Sequence, residues 1–141
     1  MSKEIRFPDG TIVRGCGLAA RDENQGWRDF GLYLDAQWRP EWDAVVLEWP
    51  DFGVPASQAD ADQAITMAFR MAREGKHVEI GCLGGVGRTG TVLACMAVLA
   101  GIRGDQAVEW VKEAYSPYAV EEDEQETWVL GFAERTAGTK P

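Results

Sequence analysis

Residues 81–90 read GCLGGVGRTG, and this stretch decides the fold because it joins a strand-like run to one of the most apolar parts of the chain. Residues 77–80 before it have the pattern of a strand, and residues 92–100 after it have that of a buried helix. A glycine-rich turn between a strand and a helix directs backbone N–H groups into one small space, where the helix N-terminus adds partial positive charge. The stretch therefore predicts an anion-binding loop.

Two side chains give this loop a chemical character. Cys82 opens it and Arg88 closes it, so the loop has the form Cys-x5-Arg. A thiolate in the floor can act as a nucleophile while a guanidinium holds two oxygens of a bound oxyanion. We interpret the loop as a phosphate-binding loop. The residues that line it, and so the substrate-binding candidates together with Arg88, are Leu83, Gly84, Gly85, Val86 and Gly87.

Other interpretations compete for the same ten residues. Gly85-x-Gly87-x-x-Gly90 matches the dinucleotide-binding fingerprint, which also needs a second strand ending in an acidic residue about 20 positions later. Residues 105–115 have helical spacing instead, so that reading is disfavoured. A Walker phosphate loop needs glycine at position 82 and lysine at position 88, and fails at both. A tight turn around a buried cysteine stays open on these residues alone.

A second motif, Trp49-Pro50-Asp51, favours chemistry over a simple turn. A phosphate ester leaves as an alkoxide or phenoxide, so attack by a thiolate benefits from an acid that protonates the departing oxygen. Such catalysis contributes about 10²–10⁴ in rate, and a carboxyl on a movable loop suits it. Pro50, Gly53 and Pro55 limit regular structure around Asp51. Asp51 is therefore the candidate acid, and an ordinary turn aspartate is the alternative.

WPD at residues 49–51, followed by CLGGVGRTG at residues 82–90, resembles the cysteine-dependent protein tyrosine phosphatase superfamily, and most closely its compact dual-specificity branch. The resemblance extends over residues 45–128. In the low-molecular-weight phosphatases the phosphate loop precedes the acid, whereas here the acid comes first. The resemblance implies a phosphatase-type Cys-x5-Arg loop between a strand and a buried helix.

The resemblance also implies roles for individual residues. Cys82 is the expected nucleophile, Arg88 the phosphate clamp, and Asp51 the general acid and then the general base. Thr89 is the expected hydroxyl partner of the thiolate. The segment AVEEDEQ at residues 119–125 resembles the family's late loop, in which a glutamine positions water. Gln125 is the candidate for that role, and a solvent-facing helix residue is the alternative.

One departure from the family concerns the residue before the nucleophile. The family usually has a histidine there, which helps to organise the loop and tune the thiol, whereas this chain has Gly81. His77, the only histidine, is expected to be an exposed strand residue. We expect activity with a higher pH optimum than in relatives that have the histidine. Some relatives protect the nucleophile with a disulfide, and whether Cys16 reaches Cys82 stays open, while Cys95 is expected to be a packing residue.

Composition limits the remaining possibilities. The 141 residues predict one domain, residues 1–141, with a sizeable core. A net charge of −9 argues against nucleic acid or an anionic membrane as the main partner. Three widely spaced cysteines suit a reducing cytoplasm, and no signal peptide or membrane span is evident. We expect a cytoplasmic monomer that needs neither a metal nor another cofactor.

Strands alternate with helices along the chain, which predicts an α/β domain with a central, mostly parallel sheet flanked by helices. Two short strands are expected around the turn at residues 8–10, and residues 15–25 are expected to form a loop. A buried strand is expected at residues 43–48, and it leads into the loop that carries Asp51, which we call the acid loop. The tail at residues 136–141 is expected to be loose. Four helices are predicted. The first extends from Ser57 to Gly75, the second from Arg88 to Ala100, and the third begins with Asp105 as its N-cap. The fourth begins in the acidic run at residues 121–126 and buries Trp128, Val129 and Phe132.

The function that these expectations favour is hydrolysis of phosphomonoesters through a phosphocysteine intermediate. Phosphotyrosine in a protein or peptide is the expected substrate, with phosphoserine and phosphothreonine as further candidates. The loop interior carries no lysine, which disfavours phosphoinositide head groups. The alternative is a catalytically weak module that binds phosphorylated proteins, supported only by the missing histidine.

Overall fold

Five strands form a single mixed sheet in the computed structural model, which describes residues 2–137. The strands are β1 (Ser2–Arg6), β2 (Ile12–Gly17), β3 (Phe30–Tyr33), β4 (Ala44–Val46) and β5 (Val78–Cys82). Their order across the sheet is β1-β2-β5-β3-β4. β1 pairs with β2 antiparallel, and every other pair is parallel. β5 is the middle strand of the sheet, so its last residue, Cys82, lies at the carboxyl end of the central strand.

Four α-helices and two short 3₁₀ segments cover this sheet. The helices are α1 (Gln58–Arg73), α2 (Gly87–Leu99), α3 (Gly104–Ala114) and α4 (Asp123–Ala137), and the 3₁₀ segments are Leu18–Asn24 and Ala36–Trp38. All of α2 except Leu99 is buried. Because α2 follows β5 directly and packs against α1, α3 and α4, the phosphate-loop sequence is held between two buried elements.

The alternation of side chains along β5 separates two hydrophobic clusters. Val78, Ile80 and Cys82 belong to the larger cluster, which includes residues of all four α-helices. Glu79 and Gly81 face the other side. There the smaller cluster contains Cys16, Tyr33 and Trp38 and packs against residues of the first 3₁₀ segment. The two faces of the strand that ends in Cys82 therefore have different environments.

A buried carboxylate fixes the second face. Glu79 is fully buried, and its oxygens accept hydrogen bonds from Asn24 Nδ2 (2.6 Å), Tyr33 Oη (2.6 Å) and Arg28 Nε (2.8 Å). A buried charge without partners would be costly, so these donors account for its presence. Burial and the hydrogen bond to Glu79 raise the pKa of Tyr33. The cluster beneath the phosphate loop is therefore tied to its neighbours by directional contacts.

Most predicted elements are confirmed to within a few residues. Ser57 caps α1 by accepting a hydrogen bond from Asp60 N at 3.2 Å, and Gly75, with φ 98°, follows its end. Gly101, with φ 109°, lies just beyond α2. The acidic run leads into α4, which buries the expected aromatic residues. These boundaries depend on local chemistry, and local chemistry can be read from the sequence.

Four expectations are wrong in detail. The N-cap of α3 is Arg103, and Asp105 lies inside the first turn, where it pairs with Arg103 at 2.7 Å. β4 is an edge strand, so Val46 is 43% exposed rather than buried. Residues 15–25 form the end of β2 and a 3₁₀ segment, because β1 and β5 pair with the end of β2 and Asn24 donates a hydrogen bond to Glu79. Of the tail predicted at residues 136–141, the first two residues belong to α4 and the others lie outside the described residues.

Candidate active site

The phosphate loop begins at the end of β5, where Cys82 is only 3% exposed. Its sulfur accepts a hydrogen bond from the backbone N–H of Gly85 at 3.1 Å. Gly85 has φ 75°, and a Cβ there would lie 2.4 Å from the backbone nitrogen of Gly17. A side chain at this position is therefore excluded both by the backbone conformation and by space. The Tyr115 hydroxyl donates to the Gly85 carbonyl at 2.5 Å and holds the loop from its other side.

Arg88, in the first turn of α2, is held in place by contacts from two other segments. Nη1 donates to the carbonyls of Leu34 (2.7 Å) and Trp49 (2.8 Å), and Nη2 donates to Asp35 Oδ2 at 3.0 Å. Within residues 2–137, the buried Nε atom has no hydrogen-bond acceptor. An arginine has five N–H donors, so the Nε N–H and the second N–H of Nη2, on one edge of the guanidinium, are left for an oxyanion.

Asp51 lies beside this arginine on an exposed loop. Its Oδ1 is 3.5 Å from Arg88 Nε, close enough for an ion pair but without hydrogen-bond geometry. The same oxygen accepts a hydrogen bond from the backbone N–H of Phe52, which has φ 63°. A cleft with a volume of about 580 Å³ adjoins both Asp51 and Arg88. The structure therefore brings together the predicted acid and the predicted clamp from positions 37 residues apart in the chain.

The acid loop is anchored by Trp49 and Gln125. Trp49 is 3% exposed, and its indole N–H donates to the carbonyl of Gly53 at 2.8 Å. Gln125 Nε2 donates to the same carbonyl at 3.1 Å, and its Oε1 accepts from the backbone N–H groups of Glu121 and Glu122. Gln125 is fully buried, so the alternative of a solvent-facing residue is wrong. Its amide joins the acid loop to the turn before α4.

Glu121 is a site residue that the sequence reasoning missed. A Cβ on Gly87 would overlap its carboxylate, so Glu121 packs directly against the phosphate loop. Partial desolvation, together with Asp51 and Glu122, raises the pKa of Glu121, while Arg88 opposes the shift. The preceding residue, Val120, has φ 59°, which is rare for a β-branched side chain and turns the chain toward the loop. The acidic run at residues 121–126 predicted only the start of a helix, and no local signal in the sequence distinguished Glu121 from its neighbours.

The remaining predicted residues have contrasting positions. Thr89 is fully buried, and within residues 2–137 its hydroxyl has no hydrogen-bond partner, which leaves it free to serve a ligand or the thiolate.

Cys16 pairs with Gly81 in the sheet and belongs to the smaller cluster, whereas Cys82 belongs to the larger one. The two thiols therefore lie on opposite faces, and all three cysteines are free. His77 is exposed, as predicted.

The environment of Gly81 explains the missing histidine in spatial terms. The Trp38 ring lies against Gly81, and its indole N–H donates to the carbonyl of Cys82 at 3.0 Å. Trp38 could not be identified from the sequence, because no spacing rule connects position 38 with position 82. Within the described residues 2–137, no group of three or more histidine, cysteine, aspartate or glutamate side chains is arranged to hold a metal ion.

The sequence of residues 41–127 identifies the family to which this site belongs. Residues 41–127, more than half of the chain, match the family described as a Swiss Army Knife protein with a DSP-PTPase phosphatase domain. The chain belongs to the cysteine-dependent protein tyrosine phosphatase superfamily. Within this superfamily, the phosphatase domain is of the compact dual-specificity type.

The chain is also similar to individual proteins and to solved structures. An uncharacterized protein of Methanocaldococcus jannaschii, MJECL20, is 34% identical over 115 residues, covering 74% of this chain and 76% of its own. Protein tyrosine phosphatase domain-containing protein 1 of Danio rerio is 34% identical over 87 residues, covering 61% of this chain and 12% of its own. The crystal structure of Tk-PTP in the active form has a TM-score of 0.74 at 26% identity, covering 93% of this chain and 97% of its own.

Among the described residues 2–137, no helix combines the length and apolar character needed to cross a membrane.

Proposed function

We propose that the protein hydrolyses phosphomonoesters through a phosphocysteine intermediate on Cys82. The observation that carries the proposal is the position of Arg88. Its buried Nε has no acceptor in the described part of the chain and lies beside Asp51, and the loop that leads to Arg88 begins with the buried thiol of Cys82. The match to a phosphatase family supports the proposal, as do the residue types of Cys82, Arg88 and Asp51, which suit the proposed reaction. Phosphotyrosine in a protein or peptide is the proposed substrate, with phosphoserine and phosphothreonine as further candidates.

The first step forms the covalent intermediate. The Cys82 thiolate attacks phosphorus, the sulfur–phosphorus bond forms, and the bond to the ester oxygen breaks. Asp51 gives its proton to the departing oxygen, so the product leaves as a neutral alcohol or phenol. Arg88 offers Nε and Nη2 to two phosphoryl oxygens, and backbone N–H groups of residues 83–87 serve the same charge. The ion pair between Arg88 and Asp51 must loosen when the phosphate enters.

The second step returns the free enzyme. Asp51, now a carboxylate, takes a proton from water as the water oxygen attacks phosphorus. The sulfur–phosphorus bond breaks, and inorganic phosphate and the thiolate are released. Gln125 is the proposed residue for placing that water. Its side chain already contacts the acid loop through Gly53, so it is fixed relative to Asp51. Thr89, with its unpartnered hydroxyl, is proposed to stabilise the thiolate as a leaving group.

The acidic surroundings of the loop bear on substrate choice. Glu121 packs against Gly87, and Asp35 pairs with Arg88, so carboxylates border the loop on two sides. A polyanionic lipid head group would be repelled by these charges, whereas a single phosphoryl group can be served by the arginine and the loop amides. We therefore propose a protein or peptide phosphomonoester as the substrate.

Hydrolysis of an aryl phosphate across pH tests this function, with the Cys82→Ser variant as the comparison. Turnover in the wild type and none in Cys82→Ser is the expected result, and rapid acid quenching should trap a phosphoryl group on Cys82, detected by peptide mass spectrometry. The Cys95→Ser variant is the matched control, because Cys95 is buried inside α2, away from the loop. Phosphate binding without Cys82-dependent turnover would overturn the proposal and identify a phosphoprotein-binding module instead.

A further inference from the structure

Trp38 contacts the first residue of the phosphate loop from the face of the sheet opposite α2. It is 3% exposed, and its Nε1 donates to the backbone carbonyl of Cys82 at 3.0 Å. Its ring stacks on Tyr33, with centroids 4.2 Å apart and planes at 17°. Tyr33 is held in turn by Glu79 and Trp42, so the indole ring has a fixed support.

The position of this ring is complementary to the glycine before the nucleophile. A Cβ on Gly81 would lie 2.5 Å from Cζ2 of Trp38 and 2.9 Å from Cδ1 of Tyr33. Contacts this short are not tolerated, so a side chain at position 81 and the indole ring cannot occupy the site together. The departure at Gly81 is therefore paired with an aromatic residue that fills the vacated space.

The segment that carries Trp38 also contacts the last residue of the loop. Asp35 caps the 3₁₀ segment Ala36–Trp38 by accepting the backbone N–H of Gln37 at 2.9 Å. The other oxygen of the same carboxylate accepts from Arg88 Nη2 at 3.0 Å. One short segment therefore holds both ends of the Cys-x5-Arg loop, through Trp38 at Cys82 and through Asp35 at Arg88.

We propose that Trp38 is a positioning residue that fixes the backbone of Cys82, in place of the histidine that precedes the nucleophile in other members of the superfamily. Its N–H orients and polarises the peptide unit that joins Cys82 to Leu83, and a polarised peptide is a better hydrogen-bond donor on its N–H side. The positive end of the indole N–H also lies near the sulfur-bearing residue, where it favours the anion. The catalytic meaning of this proposal rests on the proposed function, while the effect on the Cys82 thiol does not.

A purely packing role for Trp38 makes a different prediction, and Trp42 provides the comparison. Trp42 lies in the same aromatic cluster, and its indole N–H also donates a hydrogen bond, to the Tyr33 hydroxyl at 2.8 Å rather than to the loop. Trp38→Phe and Trp42→Phe therefore remove the same group from the same cluster. Only the first of them removes a contact with the backbone of Cys82.

Alkylation of Cys82 by iodoacetamide as a function of pH, followed by peptide mass spectrometry, tests the proposal without requiring turnover. In Trp38→Phe, the pH at which Cys82 is half reactive should rise, so that alkylation below that pH slows about 3- to 10-fold, the loss expected for one hydrogen bond. Rates at high pH should converge with the wild type, and Trp42→Phe should match the wild type throughout. Identical profiles for the two variants, or an equal loss at every pH, would overturn the proposal.

The ionisable groups around the loop stay the same in both variants, so the comparison isolates the indole. They are Asp35, Asp51, Arg88, Tyr115 and Glu121 around the loop and, on the opposite face, Cys16, Tyr33 and Glu79. If the wild type shows this alkylation profile but no turnover, the proposed function fails while the inference on Trp38 stands. If the wild type shows turnover, the acid limb of the pH profile of kcat/KM should shift in Trp38→Phe by the same number of pH units as the alkylation profile.

An exchange of side chains tests whether Trp38 and a histidine are alternatives. Gly81→His alone should destabilise the protein, because the new side chain meets the indole ring. Trp38→Ala should show the loss seen in Trp38→Phe, and adding Gly81→His to it should recover the low-pH reactivity of Cys82 by at least threefold, roughly the value of one hydrogen bond. If Cys82 in the double variant is no more reactive at low pH than in Trp38→Ala, the idea that Trp38 and a histidine have the same role is rejected.

Discussion

Arg88 Nε lies 3.5 Å from Asp51 Oδ1, so a buried N–H group that has no acceptor within residues 2–137 lies beside the carboxylate of the acid loop. Arg88 is buried, whereas the side chain of Asp51 is 49% exposed. An exposed carboxylate is screened by water, and its attraction to the arginine is weak. An incoming phosphoryl group, with more charge and a better geometric fit to the guanidinium, can therefore displace Asp51 without a large penalty.

The first prediction concerns Asp51 as the proton donor. Asp51→Asn keeps the shape of the side chain but cannot give a proton to the leaving oxygen. We expect kcat/KM for esters of strongly basic alcohols and phenols to fall about 10²- to 10⁴-fold, and for esters of acidic phenols to fall much less. A series of aryl phosphates measured at one pH gives this dependence.

Glu109→Gln is the matched control for that series, since Glu109 is an exposed acid on α3 and does not line the cleft beside Asp51. It should leave every member of the series unchanged. Equal slowing of all esters by Asp51→Asn would reject its role as the acid. In that case Asp51 would act through Arg88 alone.

The second prediction concerns Gln125 as the link between the acid loop and the turn before α4. Gln125→Ala leaves the N–H groups of Glu121 and Glu122 and one contact of the Gly53 carbonyl without their partner. Unpaired groups of this kind cost about 1–3 kcal/mol in total where water cannot replace the amide, so we expect a loss of stability in this range in urea unfolding. If Gln125 also places water, the second step slows more than the first, and a burst of alcohol release precedes the steady state.

Gln106→Ala is a suitable control, because this glutamine is exposed on α3. It should change neither stability nor the burst. A Gln125→Ala variant with wild-type stability would contradict the network of hydrogen bonds. A variant with lower stability but no burst would restrict Gln125 to a structural role.

The third prediction concerns the two cysteines of neighbouring strands. Burial, assisted by the nearby Glu79, raises the pKa of Cys16 to about 12. A thiol with this pKa is ionised at pH 8 to only about one part in 10⁴, so Cys16 should resist iodoacetamide in the native protein. Alkylation mapped by mass spectrometry should find label on Cys82 well before Cys16.

Oxidation gives an independent check on the same pair. Because Cys16 and Cys82 lie on opposite faces of the sheet, hydrogen peroxide should oxidise Cys82 without forming a disulfide to Cys16. Non-reducing peptide maps of the oxidised wild type and Cys16→Ser should therefore be alike apart from the substituted peptide. A Cys16–Cys82 crosslink in native protein would show that the strand register differs from the one described.

The sequence predicted the features whose causes are local. The cap at Ser57 and the ends of α1 and α2 each depend on residues close together in the chain, and the structure has these elements where they were expected. The pairing of Trp38 with Gly81 could not be read in this way. It depends on β3 and β5 becoming neighbours in the sheet, which no spacing in the sequence encodes.

The same reasoning explains the other differences. Gln125 looks exposed in a run of acidic residues, and its burial comes from the acid loop packing over the N-terminus of α4. The sequence of β4 is as apolar as a central strand, but the sheet ends there, so Val46 is left partly exposed. Glu121 becomes a site residue only because the backbone turns at Val120. Each of these positions is determined by tertiary contacts rather than by propensity.

The fourth prediction concerns the charge of Glu121. Partial desolvation and the nearby carboxylates raise the pKa of Glu121 above its ordinary value of 4.5, so the folded state binds its proton more tightly than the unfolded state does. The corresponding stabilisation is complete below about pH 4.5 and is lost as the pH rises through the folded-state pKa. At neutral pH the ionised carboxylate is therefore unfavourable in the folded protein. Glu121→Gln should raise Tm at pH 7, and the difference from the wild type should vanish at acid pH.

Glu121→Gln should also bind inorganic phosphate more tightly, because it removes a negative charge that packs against the phosphate loop at Gly87. Inhibition of aryl phosphate hydrolysis by phosphate measures this at pH 7, with added salt expected to shrink the effect. Glu124→Gln removes an equal charge from the first turn of α4, where an acidic residue interacts favourably with the helix N-terminus, so it should raise neither Tm nor phosphate affinity. If both variants raised phosphate affinity equally, the effect would come from net charge, and Glu121 would have no particular place at the loop.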